Sequence, residues 1–424
     1  MSMQAYDVVV AGGGLAGCFA AIAAAREGAR VALFEQYGFL GGMATAAPVA
    51  VFMQYHVARP DGSIGELVEG LFGEMVRRLR AEGDMLETTF SFDDIVLRGV
   101  LDDLMVEAGV EVCFHTFVAG AQVEGSRLAA LQFASKAGMQ TVAGAVFVDA
   151  TGDGDLAALA GAPFDIGRGD GRMQPLTPTF VIGGIDATQD LSRQAVNALL
   201  KAAHARGESA TAGLGFWRLP QPDQVFVNTP HVWNASPLDV GAMSRAEMEG
   251  RRQIRCIMDD LRRNVPAFAR AHVVRAGVQI GVRETRHLRG RYCLTVEDVL
   301  AGRRFDDGIA RCAYEVDIHA LKPGETTFHA VLERGRFYEI PYRCLLPEAG
   351  PENLLVACRA LSATHEAHGS LRIMPTMAAV GEAAGLAAAQ ALALDGDAGR
   401  VDGAALKRTL IERRIMGDPF GRGA

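Results

Sequence analysis

Asp7-Val8-Val9-Val10-Ala11-Gly12-Gly13-Gly14-Leu15-Ala16-Gly17 is the stretch whose reading decides the fold. An apolar run of strand length (Tyr6 to Ala11) meets Gly12-x-Gly14-x-x-Gly17 and passes at once into an alanine-rich segment, Gly14 to Glu27, that reads as a helix. Gly12 permits a tight turn, Gly14 lets the backbone approach a pyrophosphate, and Gly17 lets helix pack on strand. The helix N-terminus then supplies oriented N–H groups and a partial positive charge. Gly28 turns the chain, and Ala29 to Glu35 reads as a second strand. An acid at the end of that strand accepts both ribose hydroxyls and disfavours a 2′-phosphate. No Gly-Lys-Ser/Thr follows the glycines, which excludes a P-loop.

Working outward, Gly65 to Ala81 carries apolar residues on one helical face. Ser91 and Asp94 read as a capping pair for a helix through Ala108, closed at Gly109. Val110 to Val118 is expected as a third strand of the first sheet. Short alternating runs at 121–123, 128–134 and 139–143 predict a small β-meander, and Ala145 to Asp149 a further strand ending at Thr151-Gly152. Beyond this the texture changes. Strand-like runs at 180–183, 225–228 and 277–282 surround two short helices, one marked by a Ser244–Glu247 capping box. Asn353 to Ala357 is again a short buried strand, followed by a loop and an alanine-rich helix from about Pro375. The expected fold is α/β: a Rossmann-like domain with a central parallel sheet and a β-meander (1–166, returning at 336–424), with an inserted α+β substrate domain at 167–335.

The chain has 424 residues, is 49% hydrophobic, and carries a net charge of −8, which argues against nucleic acid or an anionic membrane as the main partner. The arginines at 251, 252 and 255 alternate with acids and read as a solvated helix face. Seven scattered cysteines without a C-x-x-C fit reduced thiols in a cytoplasmic protein, not a disulfide framework or a zinc ribbon. The apolar segment Ile373 to Leu394 contains Glu382, Gln390 and Pro375, and alanine dominates it. It reads as a closely packed buried helix, not a membrane span.

Glu35 is followed by Gly41-Gly42, and this continuation resembles the extended dinucleotide signature of flavoproteins. Taken with Val148-Asp-Ala-Thr-Gly-Asp-Gly-Asp155, Gly281-Val-Arg-Glu-Thr-Arg-His287, Ile340-Pro-Tyr-Arg343 and Leu354-Leu-Val-Ala-Cys-Arg-Ala-Leu-Ser362, the chain resembles the FAD-dependent oxidoreductases of the glutathione-reductase-like superfamily. The resemblance implies non-covalent FAD. Gly12, Gly14 and Gly17 would meet the pyrophosphate, with Leu15 and Ala16 between them. Glu35, beside Gln36, would meet the adenosine ribose. It further implies Gly41, Gly42, Met43 and Thr45 near the ribityl chain and flavin, and Thr151 and Gly152 on the adenine side. The loop Ser362 to Thr376, with Arg372, Pro375 and Thr376, would close over the isoalloxazine. Where disulfide-reducing members carry a cysteine pair, this chain reads Met43-Ala44-Thr45-Ala46-Ala47-Pro48. It also lacks a second G-x-G-x-x-G for NAD(P)H, and Cys358-Arg359 replaces the Gly-Asp of the aromatic hydroxylases.

A flavin dehydrogenase needs a base and charges that orient the substrate. His365 and His368, in His-Glu-Ala-His, are candidate bases; their spacing is not H-E-x-x-H, and no metal site is expected. Arg283, Glu284 and Arg286 are expected to alternate on a strand, Arg283 on one side and the other two opposite. One face holds either a substrate carboxylate or only a structural salt bridge. His319 is a further candidate base, and Arg343 and Arg372 further anchors for an anion or for the flavin. The primary expectation is two-electron oxidation of a small organic substrate by hydride transfer to flavin N5, with oxygen, a quinone or a protein carrier as acceptor. An ene-reductase charged by diffusing NAD(P)H and a protein with a structural or non-redox flavin stay open, as does a homo-oligomer.

Overall fold

The computed structural model describes residues 5–59, 61–322, 325 and 327–420. Its central sheet grows outward from the strand Ala5–Ala11, which pairs in parallel with Val31–Phe34 on one side and with Gly138–Asp149 on the other. Glu111–Cys113 extends the sheet beyond Val31–Phe34. Parallel strands are covered on both faces, which is why Val31–Phe34 is buried at every position. Side chains alternate across Ala5–Ala11. Val8 and Val10 pack among the helices, while Val9 and Ala11 pack on the opposite face with Leu131 and Phe147.

Gly138–Asp149 is a single strand that serves two purposes. Its first half pairs antiparallel with Arg127–Ser135, which pairs in turn with Phe117–Glu124; its second half belongs to the parallel core. The sequence predicts two strands here, divided at Gly144. That glycine is not a break: a Cβ there would lie 2.8 Å from a methyl of Val9, so its absence lets two strands cross closely. Conversely, Val110 to Val118 is not one strand, because the core edge ends at Cys113 and the meander starts at Phe117. The segment from Gly65 also divides. Ile64–Glu66 forms a hairpin with His56–Ala58, and the helix occupies only Gly70–Ala81.

Both capping pairs are corrected. Asp93 caps the helix Asp94–Ala108 by accepting from the N–H of Ile95 and Val96, while the Ser91 hydroxyl donates to the Arg218 carbonyl. The middle helix is long, Val240–Asn264, and is capped by Asp239; Ser244 sits one turn inside and donates to the Val240 carbonyl at 2.7 Å. That helix and Arg193–Ala205 pack against a separate four-stranded antiparallel sheet made from 216–218, 225–227, 180–183 and 272–276. The expected strand over 277–282 is irregular chain with a bend at 278–279 instead, tied down by Gly281 pairing with Thr177 and by the Val278 N–H donating to the Ala46 carbonyl.

The chain then returns. Leu354–Val356 pairs in parallel with Phe147–Asp149, and the helix Met374–Leu392 lies along Leu15–Arg26. Gly381 and Gly385 make that contact possible, since a Cβ on either would come within 2.1 or 2.2 Å of the carbonyl oxygens of Ala16 and Ala20. Among the described residues, no helix is long and apolar enough to cross a membrane.

Candidate functional site

The glycine cradle forms as its spacing requires. Gly12 takes φ +98°, and a Cβ on Gly17 would fall 1.9 Å from the Gly12 carbonyl, so helix and strand meet with nothing between them. Gly41 donates its N–H to the Gly13 carbonyl at 2.8 Å, and a Cβ on Gly42 would lie 2.8 Å from the Gly14 Cα. The second glycine pair is thereby laid directly against the first. Glu35 is buried at the end of its strand. Its two oxygens accept the N–H groups of Gly13 (2.6 Å) and Tyr37 (2.9 Å). Burial raises the Glu35 carboxyl, and these donors pull it back down. Each oxygen keeps a lone pair for a ribose hydroxyl.

From this cradle opens a cavity of about 640 Å³. Cofactor sites fall in the range of about 300–1,000 Å³. Gly12, Gly14, Leu15, Ala16, Glu35, Gln36, Gly41, Gly42, Met43, Thr151, Gly152 and Arg372 all line it. Gly17, Thr45, Pro375 and Thr376 stand behind the wall. Thr45 turns its hydroxyl onto the Leu40 carbonyl at 2.6 Å, while Pro375 sets the first turn of the helix whose Ile373, Met374 and Met377 reach the cavity. The buried Asp149 under Thr151 accepts from the Thr151 hydroxyl and from the N–H of Ala157, and its carboxyl is pushed up by burial to about 6. Next to it, Arg359 pairs with Asp153 at 2.6 Å and Arg286 with Asp155 at 2.7 Å. The cations at this end are neutralised by their own carboxylates.

The cavity's other end is chemically different. Arg283, Tyr314, Asp317, His319 and Arg372 converge there. His319 Nε2 stands 3.4 Å from Asp317, and its ring meets His231 edge to face at 4.9 Å. Burial and the Arg283 charge lower His319 to about 4 and His231 to about 3, so both rings are neutral at physiological pH. Asp317 is held well below the carboxylate range despite its burial, because His319, Arg372 and His329 favour its charge.

The other two histidines sit elsewhere. The loop expected over 362–376 contains a short helix, His365–Leu371, capped by Thr364, which turns His365 and His368 into the core and out of the cavity lining. His365 Nδ1 lies 2.6 Å and His287 Nε2 2.9 Å from Oε1 of the buried Glu284. Glu284, though desolvated, is held far below the usual carboxylate range by these donors, so it is an acceptor and both ring nitrogens carry protons. Atoms of Glu284, His287 and His368 approach within 4.8 Å of one another. The acid's oxygens, however, already accept from His365, His287 and the Gln174 N–H, which makes this a hydrogen-bonded cluster. The expected alternation over 283–286 also fails: Arg283 and Arg286 both face the cavity and only Glu284 turns away, since the strand starts at Arg286. Arg343 pairs with Asp307 at the surface, outside the lining. Sequence reasoning missed Tyr314 and Asp317, although they flank His319 in Tyr314-Glu-Val-Asp317-Ile-His319; the paired acid was the available signal.

A family model described as FAD dependent oxidoreductase matches residues 7–410, nearly the whole chain. The chain belongs to that family. It is accordingly an FAD-dependent oxidoreductase, an enzyme that binds FAD and acts on a small molecule. No curated protein matches this family member. Three solved structures resemble it at low identity. A geranylgeranyl bacteriochlorophyll reductase-like protein from Thermoplasma acidophilum is 11% identical, with 97% of this chain and 84% of that one covered at a TM-score of 0.47. Anhydrotetracycline hydroxylase from Streptomyces rimosus is 15% identical, with 97% and 66% covered at 0.48. A flavin-dependent brominase is 15% identical, with 96% and 83% covered at 0.48.

Proposed function

We propose that this oxidoreductase oxidises a small organic substrate by two electrons, with the substrate held at the Arg283–His319 end of the cavity. The observation that carries this reading is the chamber continuous with the dinucleotide cradle, in which a neutral imidazole and two guanidinium groups face one space. When bound, FAD supplies a two-electron acceptor that takes hydride at N5. The chain's own residues do the rest. Leu15 and Ala16 present helix N-terminal N–H groups to the pyrophosphate, and Glu35 accepts from the ribose. The start of the helix Met374–Leu392 aims its positive end at the flavin side of the cavity, where a developing negative charge gains from it. His319 accepts the substrate proton at Nδ1, the ring nitrogen that does not face Asp317, and Asp317, 3.4 Å from Nε2, stabilises the imidazolium that forms.

The residues 167–335 act in this reading as the substrate part, with 1–166 and 336–424 as the FAD part. Oxygen, a quinone or a protein carrier takes the electrons onward, and the unpaired thiols fit a reducing, cytoplasmic setting. Anaerobic mixing of holoprotein with alcohols, amines, acids and enones tests the proposal. Bleaching of the flavin by one substrate class supports it. Bleaching only by NAD(P)H, with an alkene restoring the colour, replaces it by an ene-reductase, and a flavin that no donor reduces overturns any redox role.

A further inference from the structure

Two guanidinium groups of the inner chamber donate to no carboxylate of the described residues. Of the four arginines that line the cavity, Arg286 and Arg359 are paired with Asp155 and Asp153. Arg283 and Arg372 are not matched in this way. Arg283 donates from Nη1 to the Pro175 carbonyl at 2.7 Å and to the Thr177 hydroxyl, and no carboxylate of the described residues touches it. Arg372 donates from Nη2 to the backbone carbonyl of Asp317 at 3.1 Å, not to its carboxylate, and its Nη1 is buried without a partner. A buried guanidinium donor left unpaired has lost its water without gaining an acceptor, so this one calls for an acceptor. Both side chains are enclosed by protein yet keep surface open to the cavity.

Two cations, Arg283 and Arg372, line the chamber with one carboxylate, Asp317; Arg372 also feels the charge of Glu284, but that acid turns away from the cavity onto His287, His365 and the Gln174 N–H, and the two imidazoles of the chamber are neutral. Neither guanidinium donates to a carboxylate of the described residues. Burial, and then the repulsion of Arg372, lower Arg283 to about 9, which leaves it charged at neutral pH, with Asp317 offsetting that repulsion only in part. A phosphate dianion would meet Asp317 as a like charge twice as strongly as a monoanion does. A planar carboxylate also matches the fork of a guanidinium, which gives two parallel donors to two acceptor oxygens.

We propose that Arg283 and Arg372 together bind the carboxylate of a small organic acid, which makes the substrate of this oxidoreductase a carboxylic acid oxidised beside its carboxylate. This rests on the functional reading above and narrows it to a substrate class. It also gives the base its tuning. His319 is lowered by Arg283 and Arg372, so an anion seated between the two guanidinium groups relieves that effect and raises the proton affinity of His319 when substrate is present.

The test uses the oxidised holoprotein and needs no turnover. Its visible flavin spectrum is titrated at constant ionic strength with acetate, propionate and benzoate, and separately with acetamide, propionamide and benzamide. The expected result is a saturable perturbation by the carboxylates, roughly tenfold or more tighter than by the matching amides. Arg283→Gln should weaken it by a similar factor at unchanged FAD content, and Arg283→Lys should recover part of the loss. Equal response to amides and carboxylates, or no response to any carboxylate, overturns the proposal, and both are read on wild-type protein whether or not the variants fold. Carboxylates that bind while no donor bleaches the flavin leave this site standing and remove the redox reading. An alcohol or amine lacking a carboxylate that bleaches the flavin, with carboxylates inert, does the reverse.

Discussion

His319 shows how far residue type alone carries an assignment. Histidine in general suits proton transfer near neutrality, and on that ground the sequence offers His365 and His368 first, with His319 as a further candidate. The structure separates them by what surrounds each ring: His319 faces the cavity with Asp317 and two arginines, while His365 serves the buried Glu284. Nothing in His-Glu-Ala-His says that a short helix will turn both of its rings inward, because the acid that attracts His365 lies far away at Glu284. Two predictions follow at this scale. His319→Asn should slow flavin reduction by about 10²–10⁴-fold while FAD content is unchanged; a variant that reduces at the wild-type rate removes the base assignment. The pH profile has a definite sign as well. Because the folded value of His319 is lowered to about 4 from 6.5, the free ring stays able to accept a proton as pH falls through 6.5. The kcat/KM for reduction should therefore hold across that range and decline only near pH 4–5. Burial sets this value together with the facing Arg283, Asp317 and Arg372, while Tyr314 and the neutral His231 also border the ring; an acid limb at the ordinary histidine value would show that they do not act as described.

At the scale of the element, the closing helix Met374–Leu392 is the most legible piece of the chain. Its small-residue composition predicted close packing, and Gly381 and Gly385 meet Ala16 and Ala20 backbone to backbone. Helix starts were less legible. Serine, threonine and aspartate compete for the same cap position, and Asp93 and Asp239 won over Ser91 and Ser244 by accepting from helix N–H groups at better geometry. Gly381→Leu should force the two helices apart, costing about 1–3 kcal/mol from overpacking, with loss of FAD retention; a lowered Tm and an FAD content below one per chain check it. Glu382 adds a second test. Its carboxylate accepts the Leu71 N–H at 2.9 Å at the start of the helix Gly70–Ala81, and burial raises it to about 7 from 4.5. A raised folded value means that its contribution to stability is complete below 4.5 and is lost as pH rises through about 7. The Tm of the wild type relative to Glu382→Gln should accordingly fall between about pH 5 and pH 8. A difference that is flat or rises over that interval would contradict the burial account.

Over the whole molecule, the βαβ opening and the return of the chain at Leu354–Val356 were both readable, since each is a short apolar run with its own turn chemistry. The inner chamber was not. It is assembled from Arg283, Tyr314, Asp317, His319 and Arg372, which meet only when the middle segment folds back over the cradle, and local periodicity carries no record of such distant contacts. The chamber also marks the molecule's response to acid. His231 and His319 have lowered folded values, so the stability they contribute is present above 6.5 and is lost as pH falls toward 4 and 3. Stability should drop over that interval, and His231→Gln should flatten the slope; chemical denaturation at stepped pH checks both. The central claim is spatial: one FAD spans the cavity, with its pyrophosphate on the glycine cradle and its isoalloxazine at the Arg283–His319 chamber. The most direct measurement is a crystal structure of the holoprotein with FAD. The account predicts phosphate oxygens within hydrogen-bond distance of the Leu15 and Ala16 N–H groups and the flavin ring beside Ile373 and Met374, open to His319. A flavin ring turned away from that chamber, or an adenine in its place, would contradict it.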